Sequence, residues 1–230
     1  FVHRRIAALV IENKRLRLDG DKSGASRPRR PTGPPWRIGW FGMLRCRRSL
    51  DILAVLAKRR PDLVRVEIFG RAAKPVARHI QRHLHANPAL HFGGVYTRDE
   101  LERLYASVHF TWAIDYFEEN ANSEWLLPNR IYEGGSCDIV PFALRRTETG
   151  RWLDQRSVGV LLDDPEAELE AFFDGLTPER YQLLKLAACA VPRSDVIAGR
   201  ADCTHLAWIL MTLVHRRQNA GSGEEAREAA

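Results

Sequence analysis

The sequence predicts an α/β fold: a Rossmann-like parallel sheet with helices on both faces. Three observations carry that reading. Apolar runs of strand length recur from Trp36 to Leu162, stretches with apolar residues at helical spacing stand between them, and the first three strand runs end at glycine. Alternation of strand, glycine turn and helix at this interval is the pattern of parallel strands joined by helical crossovers.

In chain order, residues 1–20 hold a weakly helical start and Ala8-Leu9-Val10-Ile11, short enough for one strand. Asp21 to Pro35 is rich in Gly, Ser, Pro and Arg and reads as a linker or disordered loop. Trp36 to Gly42 is a buried strand, and Ser49 to Arg59 follows as a helix, with Leu50, Leu53, Ala54, Leu56 and Ala57 at the right spacing. The unit repeats as strand Val64 to Phe69 with Gly70, helix Pro75 to His85, and strand Ala89 to Phe92 with Gly93-Gly94. It continues as helix Arg98 to Ala106 and strand Val108 to Ile114. Strands Ile139 to Ala143 and Val158 to Leu162 come next, then helices Glu166 to Asp174 and Glu179 to Cys189. The expected division is therefore an arm over 1–35, a Rossmann-like domain over 36–195, a helix within 196–217 and a disordered tail over 218–230. The helix, patterned from Asp202 to Arg217, is expected to pack on the core or on a neighbouring domain.

With 230 residues the chain can bury one substantial core, and its 45% hydrophobic content is that of a globular protein. It opens on Phe1 without a signal-like apolar run, so a piece of a longer protein is expected. The longest apolar run, Leu206 to Val214, is well short of the roughly 20 residues of a membrane span. Cys46, Cys137, Cys189 and Cys203 lack paired spacing, which argues against a zinc site and fits a reducing cytoplasm. The net charge of +6 is concentrated early, in Lys14, Arg15, Arg17, Lys22, Arg27, Arg29 and Arg30. Such an arm can meet nucleic acid, anionic lipid or only water, and no aromatic residues interleave to make a stacking platform. A peripheral contact with the inner face of a membrane stays open, and nucleic acid is not expected.

In an open parallel sheet ligands sit at the carboxyl ends of the strands, where Gly42, Gly70, Gly94, Asp115 and the run from Ser123 to Gly135 converge. Pro128 is suited to the first helical position, which would turn the N–H groups of Asn129, Arg130 and Ile131, with the positive helix end, toward an anion. Glu133, four residues after Asn129, shares its face and is a good acceptor for sugar hydroxyls. The same run also reads as an ordinary capped helix with a solvated Glu133. Gly42 with Arg45 and Arg48 can approach and neutralise a diphosphate, or form a solvated basic loop. Tyr96 can present an aromatic edge to a base or pack as a core tyrosine. The loop from Asp115 to Ser123 is acidic but lacks calcium-loop spacing. His79, His83 and His85 read as surface residues, and no Gly-x-Ser-x-Gly elbow supports a hydrolase.

Several of these pieces together resemble the carboxyl-terminal half of GT-B glycosyltransferases, in particular bacterial enzymes of the family 4 kind that build exopolysaccharides. They are Gly42 with Arg45 and Arg48, Gly94-Val95, Leu104-Tyr105-Ala106-Ser107 leading into Val108-His109-Phe110, and Leu127-Pro128-Asn129-Arg130-Ile131-Tyr132-Glu133 before Val140-Pro141. The resemblance spans about residues 36–195, and Ile11-Glu12-Asn13-Lys14 looks like the linker joining the two halves. It implies a nucleotide-sugar donor, UDP- or GDP-linked, with its diphosphate held by Arg45, Arg48 and the helix end at Pro128, and its ribose by Glu133. No cofactor or metal is implied. The acceptor-binding half, carrying any catalytic base, would precede Phe1. Where the family often has a second glutamate, eight positions before Glu133, this chain has Trp125; Glu124 is the neighbouring carboxylate, with Ser123 beside it. The sugar and the anomeric outcome stay open. A nucleotide-sugar epimerase of the same architecture and a non-catalytic basic module are the alternative readings.

Overall fold

The computed structural model of the chain describes residues 11–18 and 32–213. A short strand β1 (Arg15–Leu16) precedes β2 (Trp36–Leu44), α1 (Arg47–Arg59), β3 (Val64–Ala72), α2 (Lys74–Leu84) and β4 (Leu90–Phe92). A single 3-10 turn, Arg98–Glu100, leads into α3 (Leu101–Ala106), β5 (Phe110–Trp112), α4 (Asn122–Trp125), α5 (Asn129–Ser136) and β6 (Val140–Leu144). The chain then forms α6 (Glu148–Asp154), β7 (Val160–Leu162), α7 (Pro165–Asp174), α8 (Pro178–Ala190), α9 (Arg193–Val196) and β8 (Ile197–Ala198). A last helix, α10, covers 200–213.

Six strands form one parallel sheet in the order β4-β3-β2-β5-β6-β7. The chain winds outward from β2 to β4, crosses back to β5 beside β2, and winds outward again to β7. The order thus reverses between β2 and β5, and such a switch point opens a crevice at the carboxyl ends of the two strands.

Parallel strands are covered on both faces, so their sequences run apolar throughout. Trp36, Ile38 and Trp40 of β2 enter the larger core, whereas Phe41 joins Leu101, Leu104, Tyr105, Val108 and Ile139 in a second cluster. Under α7 and α8 the large core is aromatic: Phe110 meets Phe142 at 4.9 Å, Tyr181 at 5.6 Å and Phe173 at 5.7 Å between ring centroids. Each such ring contributes roughly 1.5–3 kcal/mol by burial. Cys46, Thr147, Asp164 and Thr177 cap α1, α6, α7 and α8 with side-chain acceptors.

The predicted sheet strands and the five predicted helices of the domain all form. The departures are short elements and the two ends. The helix α4 falls in the loop read as acidic, and α6 was not anticipated, because Gly150 in its middle is a poor helix former. A Cβ there would lie 2.2 Å from Leu144 O, so packing demands glycine. Residues Ala8 to Val10 of the expected first strand lie outside the described residues, and Ile11 is not in a strand. Instead β1 pairs in parallel with β8, Arg15 opposite Ile197 and Leu16 opposite Ala198. Residues 196–198 therefore belong to α9 and β8, and the final helix starts at 200. It does not pack on the core: Trp208 and Met211 are 59% and 65% exposed. The expected tail, 218–230, lies outside the described residues.

Candidate functional site

The crevice between β2 and β5 opens into a cleft of about 570 Å³. Gly42, Met43 and Arg45 form one wall, Ile114 and Asp115 the base of another, and Ser123 with the run from Trp125 to Arg130 closes it with Glu133. Glu12 and Asn13 reach it from the amino-terminal segment.

The local backbone explains the shape. Gly42 has φ +100°, and a Cβ there would meet nothing within 4 Å, so the end of β2 leaves open space in which a ligand can approach main chain. Pro128 is the N-cap of α5 (φ −70°, ψ 146°), not its first helical residue as the sequence suggested. Proline suits that extended conformation and has no N–H to satisfy. Ile131 N returns to Pro128 O at 3.0 Å, which takes one of the three expected amides out of the helix end and leaves those of Asn129 and Arg130.

Arg130 is only 8% exposed. Its Nε donates to Phe41 O at 2.8 Å and its Nη2 to Met43 O at 3.2 Å, while its Nη1 is buried without a partner. Burial lowers its pKa from the usual arginine range, with the charges of Asp115, Tyr105 and Glu133 acting the other way. An arginine does not lose its proton under such conditions, so a buried cation with one unsatisfied arm borders the cleft. Such an arm has the chemistry to receive an anion.

Glu133 stands one turn further along α5. Its Oε2 accepts from the Tyr105 hydroxyl at 3.0 Å. Burial raises its pKa above the usual carboxylate range, against the Tyr105 hydrogen bond and the charges of Arg130 and Arg15. Across the cleft, Arg45 Nη2 pairs with Asp115 Oδ2 at 3.3 Å and its guanidinium lies 4.8 Å from the Phe117 ring centre.

Of the residues singled out from sequence, Gly42, Arg45, Ser123, Pro128, Asn129, Arg130 and Glu133 meet in this cleft. Three do not line it. Arg48 is turned to a separate groove between α1 and α7, held by Glu166 at 3.0 Å and Glu119 at 3.3 Å and stacked on Tyr116 at 4.3 Å. Glu124 on α4 faces Arg146 at 3.8 Å. Tyr96 packs edge-on against Phe41 at 6.4 Å; burial, then the charge of Glu133, push its hydroxyl up to about 12. His83, read as a surface residue, meets Asp51 of α1 at 3.0 Å. The sequence reading missed Glu12, Asn13, Thr147 and Thr149 as lining residues. Among the described residues no three metal-ligating side chains stand together, and no helix is long and apolar enough to cross a membrane.

This sheet order, with the cleft at its switch point, is that of one Rossmann-like half of a GT-B glycosyltransferase fold. Solved structures agree. Anabaena HepE, crystallised with UDP and glucose, superposes with a TM-score of 0.58 at 17% identity over 78% of this chain and 48% of that one. Sucrose-phosphate synthase of Thermosynechococcus elongatus does so at 0.55 and 13% identity, over 81% and 47%. In sequence, the chain is 39% identical over 212 residues to the succinoglycan biosynthesis protein ExoL of Rhizobium meliloti strain 1021, covering 89% of this chain and 52% of that protein. The chain thus spans about half the length of the curated relative it matches. No protein-family model matches it.

Proposed function

We propose that this chain is the donor-binding domain of a glycosyltransferase that moves a sugar from a nucleotide-sugar to a hydroxyl acceptor in polysaccharide or glycolipid synthesis. The observation that carries the proposal is the pairing on α5 of a buried cation with an open arm, Arg130, and a carboxylate one turn away, Glu133, at the switch point of the sheet. A diphosphate next to a ribose asks for those two receptors in that order. HepE, of the same fold, is seen with UDP, and the 39% likeness to a succinoglycan biosynthesis protein supports a polysaccharide product.

Negative charge grows on the diphosphate as the glycosyl bond breaks. Arg130, the α5 amides and Arg45, once released from Asp115, would stabilise it by fixed charges and dipoles. We assign Arg48 to the wall behind Tyr116 instead of to the phosphates. Neutralisation by these groups requires no cation, so binding is expected to be unchanged in EDTA. The acceptor side of the reaction, with any catalytic base, we assign to a second, acceptor-binding half. The free thiols of Cys46, Cys189 and Cys203 agree with a cytoplasmic location. A membrane-surface role for the basic arm has less support: Lys14, Arg15 and Arg17 are engaged by Ser194 O, Glu102 and Glu102 respectively.

Titration calorimetry with UDP, GDP and UDP-sugars tests the proposal. Micromolar to submillimolar binding of at least one is expected, and no binding of any at millimolar concentration overturns it. Conversion of the donor by the longer protein without acceptor would mark an epimerase instead.

A further inference from the structure

A carboxylate at the end of a glutamate side chain swings about three torsions, and a receptor for a vicinal diol has to be held still. Glu133 has such a holder on the neighbouring helix. Tyr105 of α3 is fully buried, its ring is set edge-on to Phe41 at 4.9 Å and 88°, and its hydroxyl lies 3.0 Å from Glu133 Oε2. Phe41 immediately precedes Gly42, so the clamp is built from the same strand end that shapes the cleft.

We propose that Tyr105 is a positioning residue for the donor nucleoside: its hydroxyl fixes the Glu133 carboxylate so that Oε1 is presented to the ribose diol, and discrimination of ribose belongs to the pair. This rests on the donor-site reading above. A tyrosine O–H has one proton to give, and giving it to Oε2 sets the carboxylate plane while leaving Oε1 whole. Phenylalanine would fill the same space, so packing alone does not explain the hydroxyl in a cluster of Phe41, Leu101, Leu104, Val108, Cys137 and Ile139 with Tyr96 against it. The hydroxyl also works on the charge. It is the first of the groups that draw Glu133 back toward ionisation, ahead of Arg130 on the same helix and Arg15 on β1, with Tyr96 on the remaining side.

The test is Tyr105→Phe, measured by calorimetry with whichever of UDP and GDP the unmodified chain binds more tightly, and with its 2′,3′-dideoxy form. The variant is expected to lose roughly 5- to 10-fold in affinity for the ribonucleotide, as for one hydrogen bond to a charged group, and less than about twofold for the dideoxy form. Binding of the ribonucleotide by the variant should also need a higher pH, because Glu133 loses a group that favours its ionised form. Equal losses for both ligands, or none for either, would overturn the inference. Should the variant fold poorly, Tyr105→Met, which also lacks the hydroxyl and whose flexible side chain adapts to the space, supplies the same contrast and is read by the same two outcomes. If the unmodified chain binds neither nucleotide, the donor-site reading itself falls, and the inference with it.

Discussion

Glu133 and Arg130 show what one short helix can set against itself. Burial holds the folded-state pKa of Glu133 above its unfolded value, so the folded protein binds the proton more tightly. Stability from this group is then present at low pH and declines as pH rises through the folded pKa. Glu133→Gln, neutral at every pH, is expected to raise the melting temperature at pH 7 relative to the parent, with the gap closing toward pH 4. The same change should weaken nucleotide binding by roughly 1–3 kcal/mol, the loss of a charge-assisted hydrogen bond. Thermal scans at the two pH values and calorimetry read both; a destabilised variant at pH 7 would contradict the argument. Which residues come together at this scale was legible only where they were local. Pro128, Asn129, Arg130 and Glu133 lie on one helix start, so spacing brings them together. That Arg48 stands outside the cleft was not legible, because its partners Glu119 and Glu166 stand 71 and 118 positions away, and nothing local tells that a guanidinium is already engaged.

At the end of β2, which borders the cleft, and of its neighbour β3, glycine is required by φ at Gly42, and by contact as well at Gly70. In the register of β2 with β3, Gly42 lies opposite Gly70. Gly70 has φ +143°, and a Cβ on it would come 1.8 Å from Gly42 O, a backbone atom that cannot step aside. Gly70→Ala is therefore expected to cost about 3 kcal/mol and to push on Gly42 and the Met43 carbonyl that Arg130 holds. Urea unfolding measures the first, and a drop in nucleotide affinity the second. A variant within 0.5 kcal/mol of the parent would show that the strand end is softer than this geometry. Strand and helix order could be read from the sequence because parallel strands buried on both faces are almost wholly apolar, as in Val140–Leu144. The two-residue pair β1 and β8 could not, being too short for any period and made only when Arg15 is brought opposite Ile197.

At the scale of the whole molecule, that pairing turns the amino-terminal segment into part of the site. Residues 11–18 cross the outer side of α5 and α9. Arg15 reaches Ser136 Oγ at 3.1 Å and Glu102 at 2.8 Å, Arg17 shares Glu102 at 3.3 Å, and Lys14 Nζ reaches Ser194 O at 2.9 Å. Asn13 donates to the Asn129 side chain at 2.7 Å, at the helix end where the anion is expected. A segment with these contacts helps to fix where α5 points. Partly exposed ion pairs are each worth about 0.2–1 kcal/mol, so removing residues 1–18 should cost about 2 kcal/mol, or roughly 4–8 °C in melting temperature for a domain this large. Nucleotide affinity should fall with it, because Glu12 and Asn13 leave the cleft and Arg15 no longer draws Glu133 toward its charged form. A basic module gives the opposite pattern: removing residues 1–35, with Lys22, Arg27, Arg29 and Arg30 as well, would abolish binding to anionic vesicles or nucleic acid and leave nucleotide affinity untouched. Calorimetry with the nucleotide alongside vesicle and oligonucleotide titrations, on both forms of the chain, separates a strap on the donor site from an arm that acts alone.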